Sequence, residues 1–159
     1  MNFEPEAAVV ISRVAKNVTV ENAMYYMFGC TCVTDVTLRD LQGLDPCGRA
    51  RPMWTRVKGF DTSGSLGPWI VTCDGLNWRG TKISFTLNGE AVPMASGTTA
   101  NLIHGIPEQI AAISSFATLL PGDVILTGTP NASGHLGPGD EAVVAVEGIG
   151  DLRNVVVRA

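Results

Sequence analysis

Glu4-Pro5-Glu6-Ala7-Ala8-Val9-Val10-Ile11-Ser12-Arg13 is the stretch from which the fold reads outward. From Glu6 to Arg13 it is apolar and β-branched, the composition of a buried strand. Cys30 to Val36 alternates as a second strand and runs into a polar cluster, Asp35-Val36-Thr37-Leu38-Arg39-Asp40-Leu41-Gln42. Between the two, Thr19 is placed to cap a short helix over Val20 to Phe28, with Glu21 in its first turn and Gly29 at its end. Leu38 to Lys58 is a polar, Gly- and Pro-bearing connection. Further on, Trp69 to Cys73, Thr81 to Leu87, Asp123 to Thr127, Glu141 to Glu147 and Leu152 to Arg158 all read as strands. Asn88-Gly89 marks a hairpin whose short return run carries Pro93, the mark of an edge. One more helix is signalled by Pro107 and Glu108 at its start and by Ile110, Ile113, Phe116 and Ala117 at helical spacing. The expectation is a mainly β α+β fold with two short helices, in a single domain over residues 1–159.

Composition narrows the function classes. The chain has 159 residues, 45% hydrophobic and 16% charged, with 18 glycines and 9 prolines. That is rich enough in apolar residues for a packed core and turns too often for a helical bundle. A net charge of −4 and the lack of any basic run argue against nucleic acid. No apolar stretch is long enough for a membrane helix, and the acidic opening is unlike a signal peptide. The reading is cytoplasmic, with Cys30, Cys32, Cys47 and Cys73 as free thiols in a reducing compartment.

Three carboxylates carry the chemical signal. Glu4 and Glu6 are two apart, so in an extended segment they point to one side. On their own they read as a frayed acidic terminus. Asp35, at the end of an apolar strand, changes that balance. Three carboxylates make a hard, oxygen-rich set suited to Mg²⁺ or Mn²⁺ with positions left open for substrate. Spacing alone does not bring Asp35 to the pair.

The blocks Glu4-Pro5-Glu6-Ala-Ala-Val-Val-Ile, Asp35-Val-Thr-Leu-Arg39-Asp-Leu-Gln42, Trp54-Thr-Arg-Val-Lys58-Gly-Phe-Asp61 and Leu66-Gly-Pro-Trp-Ile-Val-Thr72 follow one another in this chain. Asn88-Gly-Glu90, Leu120-Pro-Gly-Asp-Val-Ile-Leu-Thr-Gly-Thr-Pro130, Gly139-Asp140 and Gly148-Ile-Gly-Asp-Leu-Arg-Asn154 complete the series. In this order the set resembles the fumarylacetoacetate hydrolase family over nearly the whole chain. The resemblance implies a roll or sandwich of mixed β-sheets, usually a homodimer. It implies a divalent metal, Mg²⁺ or Mn²⁺, on Glu4, Glu6 and Asp35. Lys58 takes the place of the family's active-site lysine, and Arg39, Gln42 and Thr129 take substrate-binding places. Family substrates are 2-oxo acids, acylpyruvates and their enols. Full-length members carry a histidine- and glutamate-bearing segment ahead of the E-x-E; this chain starts three residues before Glu4, so the domain reads as short at its N-terminus.

Three functions follow as expectations. The first is isomerisation, tautomerisation or decarboxylation of an unsaturated 2-oxo dicarboxylate of the 2-hydroxyhepta-2,4-diene-1,7-dioate type in aromatic catabolism. Such reactions pass through an enolate and need no activated water. Arg49 and Arg51, in the Gly43 to Met53 loop, are placed to meet a far carboxylate. The second is an acylpyruvate C–C hydrolase. The third is a domain that binds metal, or pairs with a complete half, without catalysis. Trp54, Trp69 and Trp78 read as packing residues, His104 as a core or helix-start residue, and His135 as a solvated loop residue.

Overall fold

The computed structural model describes residues 1–41, 43, 54–130 and 134–158. Eleven strands are found among them: β1 (Asn2–Phe3), β2 (Pro5–Ile11), β3 (Met27–Asp35), β4 (Gly64–Thr72), β5 (Lys82–Leu87), β6 (Glu90–Ala91), β7 (Gly97–Thr98), β8 (Val124–Leu126), β9 (Gly134–His135), β10 (Glu141–Val146) and β11 (Gly150–Val155). Two α-helices accompany them, α1 (Trp54–Lys58) and α2 (Ile106–Phe116). The fold is mainly β, as the strand signals predicted.

Two antiparallel sheets hold the core between them. One has the order β4-β3-β2-β8; the other runs β11-β10-β5-β6, with β7 also paired to β5. Strand β2 shows how alternation builds this. All seven of its residues are buried. Ala7, Val9 and Ile11 join Cys30 and Cys32 of β3 against Ile83 and Phe85 of β5 and Ala142, Val144 and Val146 of β10. This inner face carries the apolar burial that drives folding. Phe85 is 1% exposed and tilts against Phe3 with ring centroids 4.3 Å apart. The even-numbered residues of β2, Glu6, Ala8 and Val10, point to the opposite face.

The hairpin at Asn88-Gly89 forms as its sequence requires, both residues having positive φ (53° and 81°). Helix α2 buries Ile106, Ile110 and Ser114 and packs against residues 20–26. That segment, predicted as a helix to Phe28, is instead a 3₁₀ turn over Val20–Tyr26, and β3 already begins at Met27. Thr19 makes no side-chain cap there. Pairing of Met27 with Ile11 of β2 outweighs the helix propensity of the methionine. The other departure is α1, five residues within the predicted polar connection and too short to show a period. Cys30 and Cys32 are buried free thiols, the first pushed up to about 12 by burial; Cys47 lies outside the described residues. No helix among the described residues is long and apolar enough to cross a membrane.

Candidate metal centre

Three elements meet at one end of the outer face of the β4-β3-β2-β8 sheet. Antiparallel pairing of Pro5 with Thr34 and Glu6 with Val33 brings the start of β2 beside the end of β3. The Asp35 N–H donates to the Glu4 carbonyl at 2.9 Å, so the two residues are direct cross-strand neighbours. The preceding segment is tied on both sides. Asn2 and Phe3 pair with His135 and Gly134, and Asn2 exchanges two backbone hydrogen bonds with Thr37. The acidic terminus is therefore not frayed: Glu4 is 9% and Glu6 4% exposed.

This ladder brings Glu4, Glu6 and Asp35 together, with one carboxylate oxygen from each within 4.8 Å of the others. Hard oxygen donors at that spacing fit a small divalent cation, and three ligands leave coordination positions over. Cationic side chains already answer part of the negative charge. Lys58 Nζ lies 2.6 Å from Glu4 Oε2 and also bonds Asp35 Oδ2. Arg39 Nη2 lies 3.1 Å from Glu4 Oε1. Arg39 thus turns inward to Glu4, although half its side chain remains exposed.

Lys58 arrives on α1, which is fastened to the Asp35 end of the sheet. Leu38 N–H donates to the Val57 carbonyl at 3.1 Å, and Ser63 Oγ donates to the Lys58 carbonyl at 2.6 Å. Val57 is fully buried, so the helix has one fixed face. Burial pulls the Lys58 ammonium down, but its hydrogen bonds to Asp35 and Glu4 win, and its affinity for a proton is raised. The group is held as a cation.

Glu6 differs from its neighbours. Burial pushes its carboxyl up to about 7; the Gly128 N–H opposes this, Asp35 and Glu4 add to it, and Lys58 counters them. The Gly128 N–H donates to Glu6 Oε2 at 2.7 Å. It comes from the Thr127-Gly128-Thr129-Pro130 turn, where Gly128 has φ 106° and a side chain would be strained. Thr127 anchors the turn by donating its hydroxyl to the Ala7 carbonyl at 2.8 Å. Thr129 Oγ1 is buried beside it with no hydrogen-bond partner among the described residues, as is Thr37 Oγ1. An unsatisfied buried hydroxyl costs about 1–3 kcal/mol, so such an atom at the rim of a site is suited to a ligand oxygen.

Of the residues singled out in the sequence, Glu4, Glu6, Asp35, Lys58 and Arg39 lie in one cluster, and Thr129 sits on the turn that contacts it. Gln42, Arg49 and Arg51 lie outside the described residues. His104 is exposed ahead of α2 rather than in the core, because Ile106 and Ile110 take the buried positions there. Sequence reading missed Gln109, whose amide nitrogen donates to the Thr127 carbonyl at 3.1 Å and the His104 carbonyl at 2.9 Å. A polar residue beside Ile110 on an otherwise apolar helix face was its one visible signal.

Comparison with known proteins agrees with this architecture. The fumarylacetoacetate (FAA) hydrolase C-terminal family matches residues 1–157. The chain belongs to this family. The 5-carboxymethyl-2-hydroxymuconate delta-isomerase of Mycobacterium smegmatis superposes with a TM-score of 0.88 at 40% identity, over 99% of this chain and 59% of that one. The fumarylpyruvate hydrolase of Pseudomonas aeruginosa, in complex with Mn²⁺ and pyruvate, gives 0.89 at 29% identity, over 99% of this chain and 66% of that one. The 4-hydroxyphenylacetate degradation bifunctional isomerase/decarboxylase of Salmonella dublin is 39% identical over 158 residues, 99% of this chain and 35% of that protein. The chain thus spans less than two thirds of the length of each. These relatives are enzymes, and both isomerase and hydrolase activities occur among them.

Proposed function

We propose that this protein is a divalent-metal-dependent enzyme acting on a 2-oxo acid or its enol, by isomerisation, tautomerisation or decarboxylation. The observation that carries the reading is the convergence of Glu4, Glu6 and Asp35 on a point where Lys58 already supplies positive charge. The three carboxylates would hold Mg²⁺ or Mn²⁺. Such an ion would supply Lewis acidity to a keto oxygen of the substrate.

The chain's own residues account for the remaining needs. Lys58, kept protonated, offers a second positive charge and an N–H donor to a developing oxyanion, and its ammonium can deliver a proton. A lysine whose hold on its proton is strengthened is a weak acid but stays charged, which suits enolate stabilisation by charge and hydrogen bond. Arg39 orients Glu4 and leaves half of its side chain in solvent, where a substrate carboxylate can reach it. Thr129 Oγ1 and the backbone of its turn offer hydrogen bonds to a substrate oxygen. Burial of Glu4 and Glu6 limits water at the carboxylates, which strengthens every charge interaction there.

A homodimer is part of the proposal. Among the described residues strand β4 is an edge; it carries no charged residue from Gly64 to Thr72 and exposes Leu66 (49%), Trp69 (61%) and Ile70 (46%). An uncharged apolar edge left open invites pairing, and a second copy offers the same edge.

Exchange of the C3 protons of oxaloacetate and pyruvate with deuterium, followed by NMR in Mg²⁺, tests the reaction class. Metal-dependent exchange that Lys58→Met removes is the expected result. Cleavage of an acylpyruvate to pyruvate and a carboxylic acid, with no exchange, would transfer the protein to the hydrolase class. Neither activity with metal present would leave a binding domain.

A further inference from the structure

A cavity of about 590 Å³ opens between the Thr127–Pro130 turn, Gly97 and Thr98 of β7, and the Asn101–His104 segment. Its volume lies in the range of small-molecule sites, about 300–1,000 Å³. None of Glu4, Glu6, Asp35 and Lys58 lines it. It nevertheless runs up to them. Ala8 of β2 pairs with Leu126 of β8, and paired residues share a face of the sheet. Glu6 precedes Ala8 by two positions and lies on that face, roughly 7 Å along the strand. Leu126, 39% exposed, forms part of the cavity wall. Two positions on, Gly128 lines the cavity and gives its N–H to Glu6. The turn that touches the carboxylates is also the cavity's near wall.

The lining differs from the carboxylate cluster in kind. Leu102, Ile103, Leu126 and Pro130 are apolar; Asn101 and Gln109 are uncharged; His104 brings one imidazole; and no lysine, arginine, aspartate or glutamate is present among the described lining residues. Gln109 has both amide hydrogens committed to backbone carbonyls, so it holds the wall in place. A carboxylate entering here would meet no lysine or arginine among the described lining residues, whereas an apolar group would gain contact with Leu102, Leu126 and Pro130. A charged head site and a neutral cavity along one strand face therefore divide a ligand into a reacting acid and a non-reacting tail.

We propose that this cavity receives the substrate's tail and selects an uncharged, largely apolar one over a tail ending in a second carboxylate. The inference rests on the 2-oxo acid reading given above. It departs from the dicarboxylate expected from the family resemblance.

Calorimetric titration of the Mn²⁺-loaded protein with oxalate, 2-oxohexanoate and 2-oxohexanedioate tests it. Oxalate occupies the head site alone; the other two have the same chain length and differ in the far carboxylate. Wild type is expected to bind 2-oxohexanoate about tenfold tighter than 2-oxohexanedioate. Leu126→Trp, filling the cavity, should weaken 2-oxohexanoate about tenfold and leave oxalate within about twofold. Ile103 is 95% exposed, so Ile103→Lys spares the fold while placing a cation at the cavity. That variant should bring the dianion to within about twofold of the monoanion. Equal or tighter binding of the dianion to wild type would overturn the proposal, and so would equal losses of oxalate and 2-oxohexanoate in Leu126→Trp. Failure of oxalate to bind the Mn²⁺-loaded wild type would overturn the head-site reading instead, and the tail pocket would fall with it.

Discussion

The inner and outer faces of β2 are equally buried and do opposite things. On the inner face, Ala7, Val9 and Ile11 leave water for a packed apolar layer, and burial is favourable. On the outer face, Glu6 is as hidden as they are, and burial opposes its charge enough to push its carboxyl up to about 7. A strand that alternates by a single residue can thus hold the fold together with one set of side chains and store an unfavourable charge with the other. The stored charge is a reason to expect a cation, and the inner face is what makes the cost bearable.

The comparison predicts how each face breaks. Phe85→Ala, on the strand facing the inner side, should lower unfolding free energy by about 3–5 kcal/mol, seen as an earlier denaturant midpoint. A smaller loss would mean that the inner layer collapses around the cavity.

Glu6 should show the reverse sign. Its carboxyl holds its proton to about 7 when folded, against 4.5 as the ordinary value. The folded state therefore binds more protons between these pH values, and stability falls as pH rises through that window. The effect in metal-free protein is on the order of 3 kcal/mol. Glu6→Gln should flatten the profile and leave the metal-free protein more stable than wild type at pH 8. A profile that Glu6→Gln does not change would mean that burial is not what raises Glu6.

Lys58→Met sharpens the contrast further. The ammonium lies against the same Glu4 and Asp35 oxygens that a metal needs. Its removal should tighten Mn²⁺ several-fold, on the order of 1 kcal/mol, while abolishing C3 proton exchange. Unchanged Mn²⁺ affinity would show that Lys58 does not compete with the ion.

The smallest effect belongs to the edge of the same sheet. Trp69→Lys on β4 places charge on an exposed apolar row and should shift a dimer to monomer in sedimentation, with little change in monomer stability. A wild-type monomer at micromolar concentration would remove the dimer from the account.

Much of this was legible in the sequence, for reasons that differ by residue. β-Branched runs marked β2 and β10, because burial between sheets demands them, and alternation marked β3. Asn88-Gly89 marked its hairpin, because both turn residues need positive φ. The Glu4 and Glu6 pair was visible from a period of two, but Asp35 joined it only through an antiparallel register that local sequence does not encode. Helix α1 hid in a polar connection, because five residues show no period. The Gly128 N–H is a backbone group, and no side-chain pattern announces it. Of the tail cavity only Thr129 and His104 stood out in the sequence; the rest was illegible, since its walls come from segments far apart in the chain.

Mn²⁺ titration by calorimetry, with and without oxalate, on wild type and Glu6→Gln, tests the central claim most directly. The account predicts that Mn²⁺ binds wild type and oxalate tightens it. Binding should weaken as pH falls below about 7, where Glu6 takes up its proton, and Glu6→Gln should lose Mn²⁺ affinity by about a hundredfold. Equal Mn²⁺ affinity in wild type and Glu6→Gln, with no response to oxalate, would contradict it: the buried carboxylates would then be a charge network closed by Lys58 and Arg39, and not a metal centre.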